Sequence, residues 1–92
     1  MSTNIEFYER LKIQLEESQQ WPGAYMFKFI VKQKKAKSEV LDLLEPYPAE
    51  YSEKTSQKGT YTSLTFKTTM VSPEQVISIY QAAEKIEGIL ML

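Results

Sequence analysis

The sequence predicts an α+β fold of the split βαβ type, with a four-stranded antiparallel sheet in the order 4-1-3-2 and two helices on one face. Three observations predict it. Apolar residues alternate along two long segments, helical apolar spacing follows each of them, and a short glycine-containing bend joins the middle strands. A further helix precedes this unit. Because 92 residues can build only one core, we expect residues 1–92 to form a single domain.

The first helix is predicted over residues 5–18, with Thr3 or Asn4 as its N-cap. Its predicted buried stripe comprises Ile5, Tyr8, Leu11 and Leu15. Proline and glycine after Trp21 then mark a connector. The first strand is predicted over residues 24–32, and its aromatic side is expected to be buried. That side carries Tyr25, Phe27, Phe29 and Val31.

The second helix is predicted over residues 34–45, where apolar residues recur at helical spacing until Pro46 ends the pattern. A polar segment over residues 49–56 is predicted to form an edge strand, because its charged side chains discourage pairing with another chain. Residues 57–59 form the bend.

The third strand is predicted over residues 60–70, where Leu64 and Phe66 point to the buried side. The third helix has a clear start, since Ser72 is a good N-cap, Pro73 suits the first turn, and Gln75 is placed to complete a capping box. Gly88 is the predicted left-handed stop. The apolar residues 89–92 then form the last strand.

Composition excludes several classes of function. The chain has no cysteine and no histidine, so it lacks disulfides, thiolate nucleophiles, imidazole acid–base groups and the usual zinc ligands. Its only arginine, Arg10, lies in the first helix, away from any phosphate cradle of the plait. We therefore expect a protein that is not an enzyme and holds no cofactor or metal.

The net charge of −1 provides no long-range field for nucleic acid or an anionic membrane. No apolar run approaches the roughly 20 residues of a membrane span, and the first residues lack the pattern of a signal peptide. We expect a cytoplasmic protein with no nucleic-acid or membrane partner.

The bend and the open face of the sheet supply the candidate contact residues. They are Lys58, Gly59, Tyr61, Ser63 and Lys28. Glycine permits a partner's backbone to approach and tyrosine offers both a ring and a hydroxyl, although a hairpin turn alone also explains a glycine. The rest of the face is part-apolar, with Met26 and Ile30 near its centre. The first helix, a second copy of the chain, or a ligand or protein partner are the alternative covers.

A cluster of lysines marks the start of the second helix, at positions 32, 34, 35 and 37. It is either an anion site or, more simply, a solvated helix start. RNA recognition by the open face is disfavoured, since that face offers a single tyrosine where base stacking requires two or three aromatic side chains.

The run Ser56-Gln57-Lys58-Gly59-Thr60-Tyr61-Thr62-Ser63-Leu64-Thr65 resembles the YbeD-like family of uncharacterised bacterial proteins. The resemblance continues at Trp21-Pro22, from Tyr25 to Lys28, at Glu74-Gln75-Val76, at Ile79-Tyr80 and at Lys85-Ile86. It implies a ferredoxin-like plait similar to ACT-type regulatory domains, with no established catalytic residue and no agreed ligand.

Two functions remain open. The first is a small regulatory or ligand-sensing protein of ACT-like type, whose partner is a small metabolite or a protein. The alternative is an interaction adaptor that uses the open face or an edge strand. The uncharged last strand also favours a weak homodimer.

Overall fold

The computed structural model describes the backbone of residues 2–91 and the side chains of residues 5–91. Seven elements follow one another: α1 (Ser2–Ser18), β1 (Gly23–Val31), α2 (Lys34–Leu44), β2 (Ala49–Thr55), β3 (Thr62–Met70), α3 (Pro73–Ala83) and β4 (Ile89–Met91). All the predicted elements are present, and their ends coincide with the predicted ones or differ by at most five residues. Leu92, predicted to end the last strand, lies outside the described residues.

The four strands form one antiparallel sheet in the order β2-β3-β1-β4. This is the predicted order read from the opposite edge, so the predicted α+β fold is confirmed. The long central strands β1 and β3 pair along nine residues, with Phe27 opposite Phe66. In contrast, β4 pairs with β1 only from Phe29 to Val31.

The core lies between the sheet and its helices. The aromatic side of β1 faces the core as predicted: Phe27 and Phe29 are fully inaccessible to solvent, and Tyr25 is partly buried. Other fully buried residues come from both layers: Leu64 and Met70 of β3, Val40 of α2, and Val76 and Ile79 of α3. Burial of this apolar surface at roughly 25 cal/mol per Å² is the main stabilising contribution to the fold.

Helix α3 begins as the sequence predicts, because the side chain of Ser72 accepts a hydrogen bond of 3.2 Å from the backbone N–H of Gln75. The Gln75 side chain reaches back and accepts from the N–H of Val71 at 2.6 Å, one residue before the cap. The α-helix ends at Ala83, earlier than predicted. A tighter turn then leads to Gly88, whose φ of 83° is the predicted left-handed conformation.

Helix α1 packs beside α3 on the helical side of the sheet. The Tyr8 hydroxyl donates to Glu84 at 2.7 Å, and Lys12 forms an ion pair of 3.1 Å with Glu74. Tyr8 and Leu15 are buried as predicted, and Leu11 is partly buried. The first helix, one of the covers considered for the open face, therefore lies on the opposite side of the sheet.

Two predictions about α1 are wrong. Ile5 is 60% exposed, because it lies at the margin of the contact between α1 and α3. Thr3 and Asn4 lie within the helix rather than at the position before it, since the helical backbone begins at Ser2. Within the described part of the chain, no helix is both long enough and apolar enough to cross a membrane.

Candidate binding surface

The open face of the sheet presents one row of side chains that crosses all four strands. The register places Lys54 of β2 opposite Ser63 of β3, Ser63 opposite Ile30 of β1, and Ile30 opposite Leu90 of β4. Directly opposed residues in a sheet project from the same face. The row therefore runs from a cation, past a hydroxyl, to two apolar side chains.

This row forms the floor of a shallow groove of about 430 Å³. Tyr61 and the backbone turn at Thr55 and Ser56 form its end wall. The groove is open to solvent, and Leu90 and Tyr61 are 53% and 42% exposed. An apolar floor with a few polar groups at its margin is typical of sites that bind a ligand.

The hairpin that bounds the groove is held by its own hydrogen bonds. The N–H of Ser56 donates to the carbonyl of Tyr61 at 2.8 Å, and the N–H of Tyr61 donates to the Ser56 hydroxyl at 3.1 Å. Gly59 has a φ of 71°, the left-handed conformation that L-residues avoid. No atom lies within 4 Å of the position of an added Cβ there, so the turn's backbone conformation, rather than space, requires the glycine.

The predicted contact residues divide into three groups. Tyr61 and Ser63 line the groove. Lys28 lies on the same face in the neighbouring row, opposite Thr65. Lys58 and Gly59 lie at the tip of the hairpin and do not line the groove, because the turn projects beyond the last row of the sheet.

The sequence pattern does not predict that Leu90 and Lys54 belong to this site. For Leu90 the sequence predicts only an edge strand, because a continuous apolar run has no alternation that distinguishes the two faces of the strand. Lys54 lies in β2, where every residue is exposed, so burial provides no pattern there either. Only the pairing of the strands shows that both side chains flank Ser63 and Ile30.

The lysine cluster near the start of α2 does not converge on one site. Lys37 pairs with Glu53 of β2 at 2.9 Å, on the helical side of the sheet. Lys32 instead lies over the ring of Tyr61, with its Nζ 5.4 Å from the ring centroid. The N-cap of α2, Gln33, makes no side-chain capping bond. The simpler interpretation as a solvated helix start accounts for this arrangement.

The side chains with shifted pKa values lie on the helix-covered side of the sheet. Hydrogen bonding from Tyr51, followed by the interaction with Lys37, lowers the pKa of Glu53. Burial raises the pKa of the Tyr51 hydroxyl, and its hydrogen bond to Glu53 adds to the effect. These groups lie at the edge of the helix-covered face and stabilise the contact between α2 and β2.

A second cavity, of about 250 Å³, lies between α1 and the sheet. It is lined by Phe7, Tyr8, Leu11, Tyr25, Tyr80 and Met91. The hydroxyls of Tyr25 and Tyr80 are 2.9 Å apart and share a hydrogen bond. Burial is the main cause that raises the pKa of both Tyr8 and Tyr80, so these phenols stay protonated. They serve as hydrogen-bonding groups where α1 docks.

Comparison with known proteins identifies the family. The profile of a family described as "Protein of unknown function (DUF493)" matches residues 16–92. The chain belongs to the DUF493 family. The match to the DUF493 profile includes the whole sheet, α2, α3 and the last three residues of α1.

Two relatives agree with this membership. The chain is 31% identical over 83 residues to the UPF0250 protein of Shewanella sediminis (strain HAW-EB3), an alignment that covers 86% of this chain and 94% of that protein. The solution structure of protein HP0495 from H. pylori superposes with a TM-score of 0.62 at 16% identity, covering 84% of this chain and 92% of that one. The resemblance to the YbeD-like family of uncharacterised proteins is thus confirmed, and the structural likeness supports the ferredoxin-like fold.

Proposed function

We propose that this protein is a small, non-enzymatic regulatory protein of ACT-like type that acts by binding a ligand on the open face of its sheet. The groove along the row from Lys54 to Leu90 carries this proposal. Helix α1 packs on the opposite side, so the groove is left to solvent. An apolar floor with this exposure is unusual for a surface without a binding role.

The non-enzymatic part of the proposal rests on the residues themselves. The chain has no histidine and no cysteine, and the groove is lined by hydroxyl, lysine and apolar side chains. Ser63 donates to the backbone carbonyl of Lys54 at 3.4 Å, and among the described residues that line the groove there is no histidine or carboxylate to activate it as a nucleophile. This set of groups is suited to binding.

A specific observation favours an interaction adaptor as the second candidate. Because β4 pairs only with Phe29 to Val31, residues 23–28 of β1 have no strand partner on that side within the described chain. The carbonyl of Ala24 is instead bonded by the side chain of Gln19 at 3.1 Å. A partner's extended segment that continued the line of β4 would pair with this edge.

Photocrosslinking in living cells tests the binding role without assuming what the ligand is. A diazirine-bearing lysine analogue replaces Lys54, which lines the groove, and in a matched control it replaces Lys85, which is exposed on the helical side. We expect an adduct of defined mass at position 54 only. Absence of any adduct there, or identical products at both positions, would contradict a binding role for this face.

A further inference from the structure

The open face has a charge opposite in sign to the rest of the protein. Four lysines project from it: Lys28, Lys32, Lys54 and Lys67. Among the described residues of this face, the one acidic side chain is Glu50, opposite Lys67. The face therefore carries a net charge of +3. Since the whole chain has a net charge of −1, the remaining surface carries −4.

None of these lysines forms an ion pair with a carboxylate among the described residues. The ion pairs there join Lys12 to Glu74 and Lys37 to Glu53, both on the helical side. Lys32 lies over the ring of Tyr61. An uncompensated cluster of lysines favours an anionic partner and raises its rate of encounter.

The apolar centre of the face restricts the kind of anion. Ile30 and Leu90 lie side by side in the groove, with the exposed ring of Tyr61 next to them. A fully polar anion would cover these groups without gaining from their burial. A ligand that places an apolar group over Ile30 and Leu90 and carboxylates near the lysines gains from both.

The spread of the lysines indicates the size of the partner. Along β1 and β3, the distance from the row of Lys32 to the row of Lys67 is six residues, or about 20 Å at roughly 3.3 Å per residue. From Lys54 on β2 to the far edge at β4 is three strand spacings, or about 14 Å. A small metabolite would reach only one or two of the four lysines, whereas an extended peptide of six to eight residues spans them.

We infer that the open face binds an extended acidic segment of another protein, with an apolar side chain seated over Ile30 and Leu90. This inference rests on the proposed function and names the class of its ligand. A second copy of the chain is a poor fit to the same face, since it would bring like-charged lysines together. Single-stranded RNA is also a poor fit, because Tyr61 is the one aromatic side chain on the described face.

The direct test measures binding of a fluorescent eight-residue peptide of alternating glutamate and leucine by anisotropy. Peptides with glutamine or lysine in place of glutamate serve as controls, and a ten-nucleotide oligouridine is the nucleic-acid probe. We expect binding of the acidic peptide only, weakened at least tenfold between about 50 and 300 mM salt. Amide chemical shifts are expected to change at Ile30, Ser63 and Leu90, and to stay constant in α2 and α3.

Two double variants with the same change in net charge locate the site. Lys28→Glu with Lys54→Glu reverses two charges on the open face, and Lys35→Glu with Lys85→Glu reverses two on the helical side. We expect at least tenfold weaker peptide binding for the first pair and less than a twofold change for the second. All four positions are exposed, so both proteins should fold, which thermal melting checks.

Several results would overturn the inference. Equal binding of the lysine peptide, equal losses in both double variants, or tighter binding of oligouridine would each do so. Self-association through the open face itself, seen as concentration-dependent shift changes at Ile30, Ser63 and Lys28 that the acidic peptide does not reverse, would assign the face to a second copy. If the peptide fails to bind while Lys54 still yields a crosslinked adduct in cells, the acidic-segment inference is wrong and the binding role stands. If both experiments are negative, the proposed function is wrong as well.

Discussion

Truncation of Phe27 to alanine tests which face of the sheet is the core. Phe27 is fully buried, and its ring centroid lies 4.9 Å from that of Tyr25, 5.3 Å from that of Tyr80 and 6.0 Å from that of Phe29. Removal of a buried phenylalanine ring costs about 3–5 kcal/mol through lost burial and the cavity left behind. We expect Phe27→Ala to reach the upper part of this range, since three aromatic contacts are lost together.

The neighbouring residue provides the control. Met26 precedes Phe27 in β1 but points to the open face, where it is 52% exposed, so Met26→Ala should cost less than about 1 kcal/mol. Lys67→Ala, on the same face, should stay within about 0.5 kcal/mol. Phe66 is also buried, but it packs against the half-exposed Tyr51 at the edge of the sheet. Phe66→Ala should therefore cost somewhat less than Phe27→Ala.

Urea unfolding followed by circular dichroism measures these differences. A domain of this size has a total stability of about 5–14 kcal/mol, so Phe27→Ala removes a third or more of it. With a slope of about 1–2 kcal/mol per M urea, the midpoint should fall by about 2–5 M. Should that variant not fold, Phe27→Leu is expected to lose roughly 1–2 kcal/mol. Equal losses at Met26 and Phe27 would refute the assignment of the two faces.

Three further predictions concern the α3 cap, the α2–β2 contact and the β4 edge. Ser72→Ala removes the acceptor for the Gln75 N–H and should lower the free energy of unfolding by about 1 kcal/mol in the same urea assay. Ser78→Ala, on the exposed side of α3, should change it by less than about 0.5 kcal/mol, and a reversed order of the two losses would contradict the cap. The pKa of Glu53 is lowered in the folded state, so its contribution to stability is present above about pH 4.5 and is lost as the pH falls through the folded-state pKa. Lys37→Met should make the urea midpoint fall less steeply in that acidic range, and an unchanged pH profile would show that the ion pair does not contribute. Weak self-association through the edge of β4 should appear in sedimentation at high micromolar concentration and be abolished by Leu90→Lys. A wild-type protein that stays monomeric at those concentrations would contradict this prediction.

The sequence alone was sufficient to predict the elements and the order of the strands. The aromatic residues at every second position of β1, and the alternation around Leu64 and Phe66 in β3, specified which face is buried. The start of α3 was also predictable from the sequence, since Ser72, Pro73 and Gln75 act through local geometry that depends on no distant residue. Capping signals of this kind predict the folded structure correctly, because the interactions they describe span only three or four residues.

Tertiary structure decided where α1 lies and what the binding surface contains. The apolar stripe of α1 fits either side of the sheet by pattern alone, and only contacts such as Tyr8 with Glu84, 76 residues apart, place it beside α3. Likewise Lys54, Ser63, Ile30 and Leu90 belong to four different strands and form a row only through the register of three strand pairs. A chain of balanced overall charge thus acquires a basic face, because strand pairing gathers lysines that are far apart in sequence while α1 and most of the acidic side chains lie elsewhere.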